Sequence, residues 1–300
     1  MIKSLSEASI KQYNAPLKFW LEYCKRMKKD PFRASEQEVL DCLAIKFAEG
    51  AAYGSINTMR SAISLINENK LSDSLAINRF LKGVFRIKPA TPKYDSTWDP
   101  NKVLKMLQTW IPLEDLSLAK ISEKLVMLLA LGSGFRVQSI TLIKLDNVIY
   151  KRDGIEIRIA DLIKTSKPGA PQPVSFFPYF KEKPEICIAK TLDQYISRTK
   201  SLRKDENQLL ISCKKPYKAV GTQTVSRWIK NVLKEAGIED YTAHSTRHAS
   251  SSKALAQGLN VNIIKKAAGW APNSNTFAKF YNRPLEAEDN FARKVFADQL

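Results

Sequence analysis

The chain has 300 residues, 44% of them hydrophobic, which is enough for real cores and suggests about two domains. Its 48 lysines and arginines against 30 acidic residues leave a net charge of +18. That excess points to a polyanion, because neutralised phosphates release condensed counterions, whereas no apolar run approaches the ~18 residues of a membrane helix.

From Ser4 to about Phe85 the pattern is helical. Ile10, Tyr13, Leu17, Trp20, Leu21 and Cys24 recur at helical spacing, and Val39, Leu43 and Phe47 continue the theme. Ser55 can cap a further helix bearing Met59, Ile63 and Ile66. Lysines and arginines are interleaved throughout, so residues 1–86 read as a helical DNA-binding domain with a basic surface. A charge run is by default only a solvated face, and this module is weak evidence on its own.

Residues 87–98 carry prolines and no periodicity and read as a linker. A second domain is expected over 99–300. There, Ser122 to Leu131 looks like a buried helix ended by Gly132 and Gly134. Ile155, Ile157 and Ile159 alternate with polar residues, and Val174 to Phe177 returns after a turn, which predicts a β-hairpin with a basic tip. Thr222 opens a helix with Val225, Trp228, Ile229, Val232 and Leu233 on one stripe, closed by Gly237. Short helices follow over 245–257, 261–268 and 275–281, and an amphipathic C-terminal helix over 285–300. The fold class expected is mainly α with a small β-sheet.

The four cysteines, Cys24, Cys42, Cys187 and Cys213, are widely spaced and fit neither a zinc cluster nor a disulfide framework, so buried thiols in a reducing compartment are expected. The first residues do not read as a signal peptide. An intracellular protein is therefore expected, in the nucleus if the source is eukaryotic and otherwise in the cytoplasm or nucleoid. No carboxylate cluster has metal-ligand spacing, and neither a metal nor an organic cofactor is expected.

Both histidines of the chain lie in Ala243-His244-Ser245-Thr246-Arg247-His248. Histidine exchanges protons near neutral pH, and arginine presents a planar fork to phosphate oxygens. The plainer reading is a helix start whose histidine caps or packs. Four further features keep this cluster company. Gly132-Ser133-Gly134-Phe135-Arg136 places an arginine after a glycine-rich helix exit. Lys164 and Lys167 lie at the hairpin tip. Trp270 follows Gly269, and Tyr281 follows Phe277 by one turn; each of these would alone be read as turn, surface or core.

In order and spacing these residues resemble the catalytic set of the tyrosine recombinases, the phage-integrase family. The resemblance covers the second domain by motif and the first by type. The phrasing around Lys164-Thr165-Ser166-Lys167, His244-Ser245-Thr246-Arg247 and Phe277 to Tyr281 is most similar to recombinases of eukaryotic Crypton and DIRS-like mobile elements. The resemblance implies a metal-independent, site-specific recombinase that cleaves and rejoins double-stranded DNA through a covalent 3′-phosphotyrosine, assembled as a homo-tetramer on two DNA sites. It assigns Tyr281 as nucleophile, Arg136 and Arg247 as charge-neutralising groups, and His244 and Trp270 as phosphate or proton partners. Lys164, with Lys167 as second candidate, becomes the general acid, and His248 is read as support. Two departures stand out: Ser139 occupies a position often acidic in the family, and Tyr281 follows Trp270 by a slightly long interval. Three other readings remain open at this point: a type IB topoisomerase, a non-catalytic DNA-binding derivative of the fold, and a metal-free ribonuclease.

Overall fold

The computed structural model describes residues 5–89, 94–166, 168–169, 171–271 and 273–285, and the chain divides into two compact units, Met1–Lys93 and Tyr94–Leu300. The first unit is helical. Helix α1 (Glu7–Met27) is capped by Ser6, and α2 (Glu36–Ala48) starts with a reciprocal capping box between Ser35 and Glu38. Helix α3 (Tyr53–Ile66) begins at Ala52 without a side-chain cap, so Ser55 lies inside the helix and does not cap it. Helix α4 (Leu75–Ile87) is capped by Ser74. Trp20, Cys24, Val39, Leu43, Ile56, Met59, Ile63, Ile77 and Val84 form its core. Ile10 and Leu21 are exposed instead, and Tyr23 is buried beside Trp20. The core stripe of α1 is narrower than the sequence suggests, and Leu21 sits a full ~100° around the helix from Trp20.

The second unit is built around α6 (Leu118–Ser133), which is buried for most of its length. It packs against α8 (Ile188–Thr199), α9 (Thr222–Glu235) and α10 (Ser245–Ala256). The helix continues through Gly132, where a Cβ would lie 2.3 Å from Ile188 Cδ1, and it ends at Gly134 in the left-handed region, φ +62°. Helix α5 (Pro100–Gln108) starts on Asp99 with proline in its first turn, and α7 (Val137–Thr141) follows Arg136.

The expected hairpin is present as β2 (Gly154–Arg158) and β3 (Val174–Pro178), paired antiparallel with Ile155 opposite Phe177. A strand not read from the sequence, β1 (Val148–Lys151), pairs with β2 to complete a three-stranded sheet. The fold is thus mainly helical with one small sheet, as expected. The stretch read as linker ends in residues that the second unit uses. Trp98 is completely buried and donates its indole N–H to Ser245 Oγ at 2.8 Å, and the Thr97 N–H bonds the Pro284 carbonyl at 2.9 Å. All four cysteines are free, three of them buried; Cys187 accepts the Lys190 N–H and so caps α8. Among the described residues no helix is long and apolar enough to cross a membrane. The expected C-terminal helix lies outside the described residues, apart from Leu285.

Candidate active site

The site forms where two helix exits meet the start of a third helix. Helix α6 ends at Gly134, and α11 (Val261–Ala267) ends just before Gly269, which is also left-handed at φ +68°. Both turns expose a carbonyl group, at Gly134 and at Ala268. Arg247, in the first turn of α10 and only 1% exposed, donates Nη1 to both, at 3.0 Å for Ala268. Its guanidinium is thereby fixed in the interior and lies 4.5 Å from the centre of the Trp270 ring. Burial and the nearby Arg136 charge push the Arg247 pKa down to about 10.

Two other donors of this guanidinium, Nε and Nη2, are buried and unpartnered, and so is the Trp270 indole N–H. A buried donor left without an acceptor costs about 1–3 kcal/mol, and a ligand oxygen that accepted from these three would recover that cost. Donors from a guanidinium and an indole in one cluster fit the non-bridging oxygens of a phosphodiester.

Tyr281 closes the site. It ends a turn of π-helix, Phe277–Tyr281, whose buried Phe277 packs against Trp270 with ring centres 5.4 Å apart. The Tyr281 ring lies 4.5 Å from His248, nearly parallel to it, and 4.8 Å from Trp270. Its hydroxyl is 2.8 Å from His244 Nε2. His244 is exposed as a residue, yet partial desolvation lowers its pKa, and the charges of Arg247, Arg136 and Lys164 lower it further. A neutral imidazole in contact with a phenol is positioned to accept the phenolic proton. His248 is pushed down to about 4 by desolvation first and then by His244, Arg283 and Arg247. It is a neutral ring against which Tyr281 stacks.

Arg136 is half-buried at the start of α7, and its charge is felt at both His244 and Arg247. Lys164 is exposed in the turn between β2 and β3, and it too acts on His244. Lys167 lies outside the described residues. The structure therefore gathers Arg136, His244, Arg247, His248, Trp270 and Tyr281, with Lys164 at the rim. Ser139, at the position often acidic in the family that the sequence resembles, is buried on α7.

Sequence reasoning missed the backbone half of the site, namely the Gly134 and Ala268 carbonyls that hold Arg247. The matched pair of helix exits at Gly134 and Gly269 was the available signal. Among the described residues no group of three or more His, Cys, Asp or Glu side chains is arranged to hold a metal ion.

Comparison with known proteins places the chain in a family and its fold among solved structures. Residues 97–288 match the profile of the phage integrase family. The chain is 26% identical over 159 residues to tyrosine recombinase XerA of Pyrococcus furiosus, and 27% over 158 residues to its counterpart in Pyrococcus horikoshii. Those alignments cover 52% of this chain and 49% of either relative, so the chain spans about half the length of the curated relatives it matches. Among solved structures, XerH site-specific recombinase bound to palindromic difH substrate superposes with a TM-score of 0.65 at 15% identity, covering 96% of this chain and 79% of that one. A lambda integrase tetramer bound to a Holliday junction gives 0.53 at 18% identity, covering 89% and 72%. At these identities the superpositions establish a shared fold.

Proposed function

Because the chain belongs to the phage integrase family, we propose that it is a site-specific DNA recombinase that cleaves and rejoins strands through a covalent 3′-phosphotyrosine. One observation carries the reading: the Tyr281 hydroxyl sits 2.8 Å from His244 Nε2, beside an Arg247 guanidinium with two unpartnered buried donors. A phosphodiester resists attack because its own charge repels nucleophiles, and further charge develops at the transition state. Arg136 and Arg247 neutralise that charge from fixed positions, without a metal ion. Tyr281 Oη attacks phosphorus as its proton passes to His244, and the P–O bond to the 5′ oxygen breaks. Lys164 supplies the proton to the departing 5′ oxygen. The phosphotyrosine retains the energy of the broken bond, so a 5′-hydroxyl from another strand reverses the step and releases Tyr281.

Strand exchange between two sites needs four such centres, and the account therefore includes a homo-tetramer on two duplexes. The net charge of +18 supports a DNA partner. Within the family, the phrasing around Lys164, His244 and Tyr281 supports an affiliation with recombinases of Crypton and DIRS-like elements. The test is incubation with a nicked suicide DNA site followed by a denaturing gel. The wild-type chain should form a covalent protein–DNA adduct, and Tyr281→Phe should form none while its DNA affinity stays nearly intact. An adduct with the Phe variant would overturn the assignment.

A further inference from the structure

Tyr281 is held by more than its ring contacts. Ser252, one turn after His248 on α10, donates its hydroxyl to the Tyr281 carbonyl at 2.9 Å and accepts the Arg283 N–H at 3.0 Å. A single side chain thus grips the backbone on both sides of Asn282, the residue that follows the nucleophile. Immediately downstream, the Pro284 carbonyl accepts the Thr97 N–H, and Leu285 is buried in a short parallel bridge with Thr97.

Thr97 belongs to a stretch, Tyr94–Trp98, that also binds the other side of the site. The Tyr94 hydroxyl accepts the Thr242 N–H at 3.0 Å, two residues before His244. The Tyr94 ring packs on Tyr241 at 4.7 Å and meets the edge of His248 at 6.3 Å. The Trp98 indole bonds Ser245 Oγ, which in turn donates to the Thr242 carbonyl at 2.7 Å. The same five residues therefore bond the turn that bears His244 and the segment that follows Tyr281.

We infer that Ser252 and the stretch Tyr94–Trp98 form a clamp that sets the alignment of Tyr281 against His244, so that the chain entering the second unit helps to position the nucleophile. The inference rests on the recombinase reading for its functional meaning and on these hydrogen bonds for its geometry. Ser252 and Tyr94 are positioning residues: the Ser252 hydroxyl bonds backbone beside Tyr281 and the Tyr94 hydroxyl bonds the Thr242 N–H, so both act through Tyr281 and the histidines. Attack needs a near-aligned oxygen, and misplacement by about 1 Å costs on the order of a hundredfold.

Two substitutions that preserve packing test the clamp, Ser252→Ala and Tyr94→Phe, each removing one hydroxyl. Cleavage is read as adduct formation on nicked suicide DNA. Joining is read on a DNA end carrying a 3′-nitrophenyl phosphate, where an incoming 5′-hydroxyl displaces nitrophenolate at phosphorus and Tyr281 is not consumed. Ser252→Ala should slow cleavage about tenfold or more and Tyr94→Phe less, with joining and DNA affinity close to wild type. Equal loss of cleavage and joining, or no loss of cleavage, would overturn the clamp.

A second readout needs no catalysis. In protein labelled at the tyrosine ring Cζ carbon, the Tyr281 resonance, assigned with Tyr281→Phe, should shift in Ser252→Ala while tyrosines of the first unit stay fixed. An unmoved Tyr281 resonance would overturn the clamp even if the wild-type chain proved unable to cleave DNA. Conversely, a shifted resonance in a protein that never forms an adduct would leave the clamp standing and sink the recombinase reading.

Discussion

At the scale of single residues, the proposed reaction assigns charge neutralisation to the arginines and proton movement to other groups. Arg247 is the more constrained arginine, because Nη1 is committed to two carbonyls while Nε and Nη2 stay buried without a partner. Arg136→Ala or Arg247→Ala should each slow cleavage by about a hundredfold or more, the scale for deleting one preorganised charge-stabilising donor. Lysine at either position should rescue only partly, since it lacks the fork. Near-normal cleavage by an alanine variant would demote that arginine to structural support. A 5′-bridging sulfur leaves without a proton, so it should restore cleavage to Lys164→Ala; rescue of Lys167→Ala alone would move the general acid to Lys167. His248 gives a sign-definite pH effect. Its pKa falls from 6.5 to about 4 on folding, so below pH 6.5 the unfolded chain binds the extra proton. Stability is thus fully present above about pH 6.5 and is lost as pH falls towards 4. The melting temperature of the second unit should drop more steeply across that window in wild type than in His248→Gln, and parallel curves would contradict the assignment.

At the scale of elements, much of the second unit is legible in the sequence because its punctuation is chemical. Gly134, Gly237, Gly258 and Gly269 all have positive φ, and each closes a helix or its exit where the residue pattern stops. The elements that escape are those lacking such marks. Strand β1 has only four residues, two of them exposed, too few to show alternation. Helix α8 has a regular stripe of Ile188, Leu192 and Tyr195, but its cap is the thiol of Cys187 rather than a hydroxyl or carboxylate. The candidate site residues were legible as types in order, whereas the π-helical turn at Tyr281 and the carbonyls that hold Arg247 depend on backbone geometry that no side-chain pattern encodes. Gly134 joins the two levels, since its left-handed backbone presents the carbonyl to Arg247 and a Cβ there would meet Ala268 Cβ at 3.3 Å. Gly134→Ala should cost about 1–2 kcal/mol from the positive φ alone and should also slow cleavage by displacing Arg247. A variant as stable and as active as wild type would show that this turn is not what holds the guanidinium.

At the scale of the whole molecule, charge and assembly dominate. With a net charge of +18, DNA affinity should fall linearly on a log–log plot against salt, with a slope that counts the phosphates neutralised. Flat salt dependence would remove DNA as the partner. The segment from Glu286 onward carries Phe291, Val295 and Phe296 at helical spacing behind an acidic start, and it lies outside the described residues. We propose that it joins protomers on DNA. Its deletion should spare binding to a single site but weaken cooperative occupancy and recombination, as read by gel shift on paired sites; an unimpaired tetrameric complex would sink that role. The proposed chemistry, however, turns on one oxygen atom, Tyr281 Oη. The suicide-substrate adduct can be digested with nuclease and protease, and the residual nucleotide mapped by mass spectrometry. The account predicts a single modified peptide carrying a 3′-linked nucleotide on Tyr281, and a nucleotide on any other residue would contradict it.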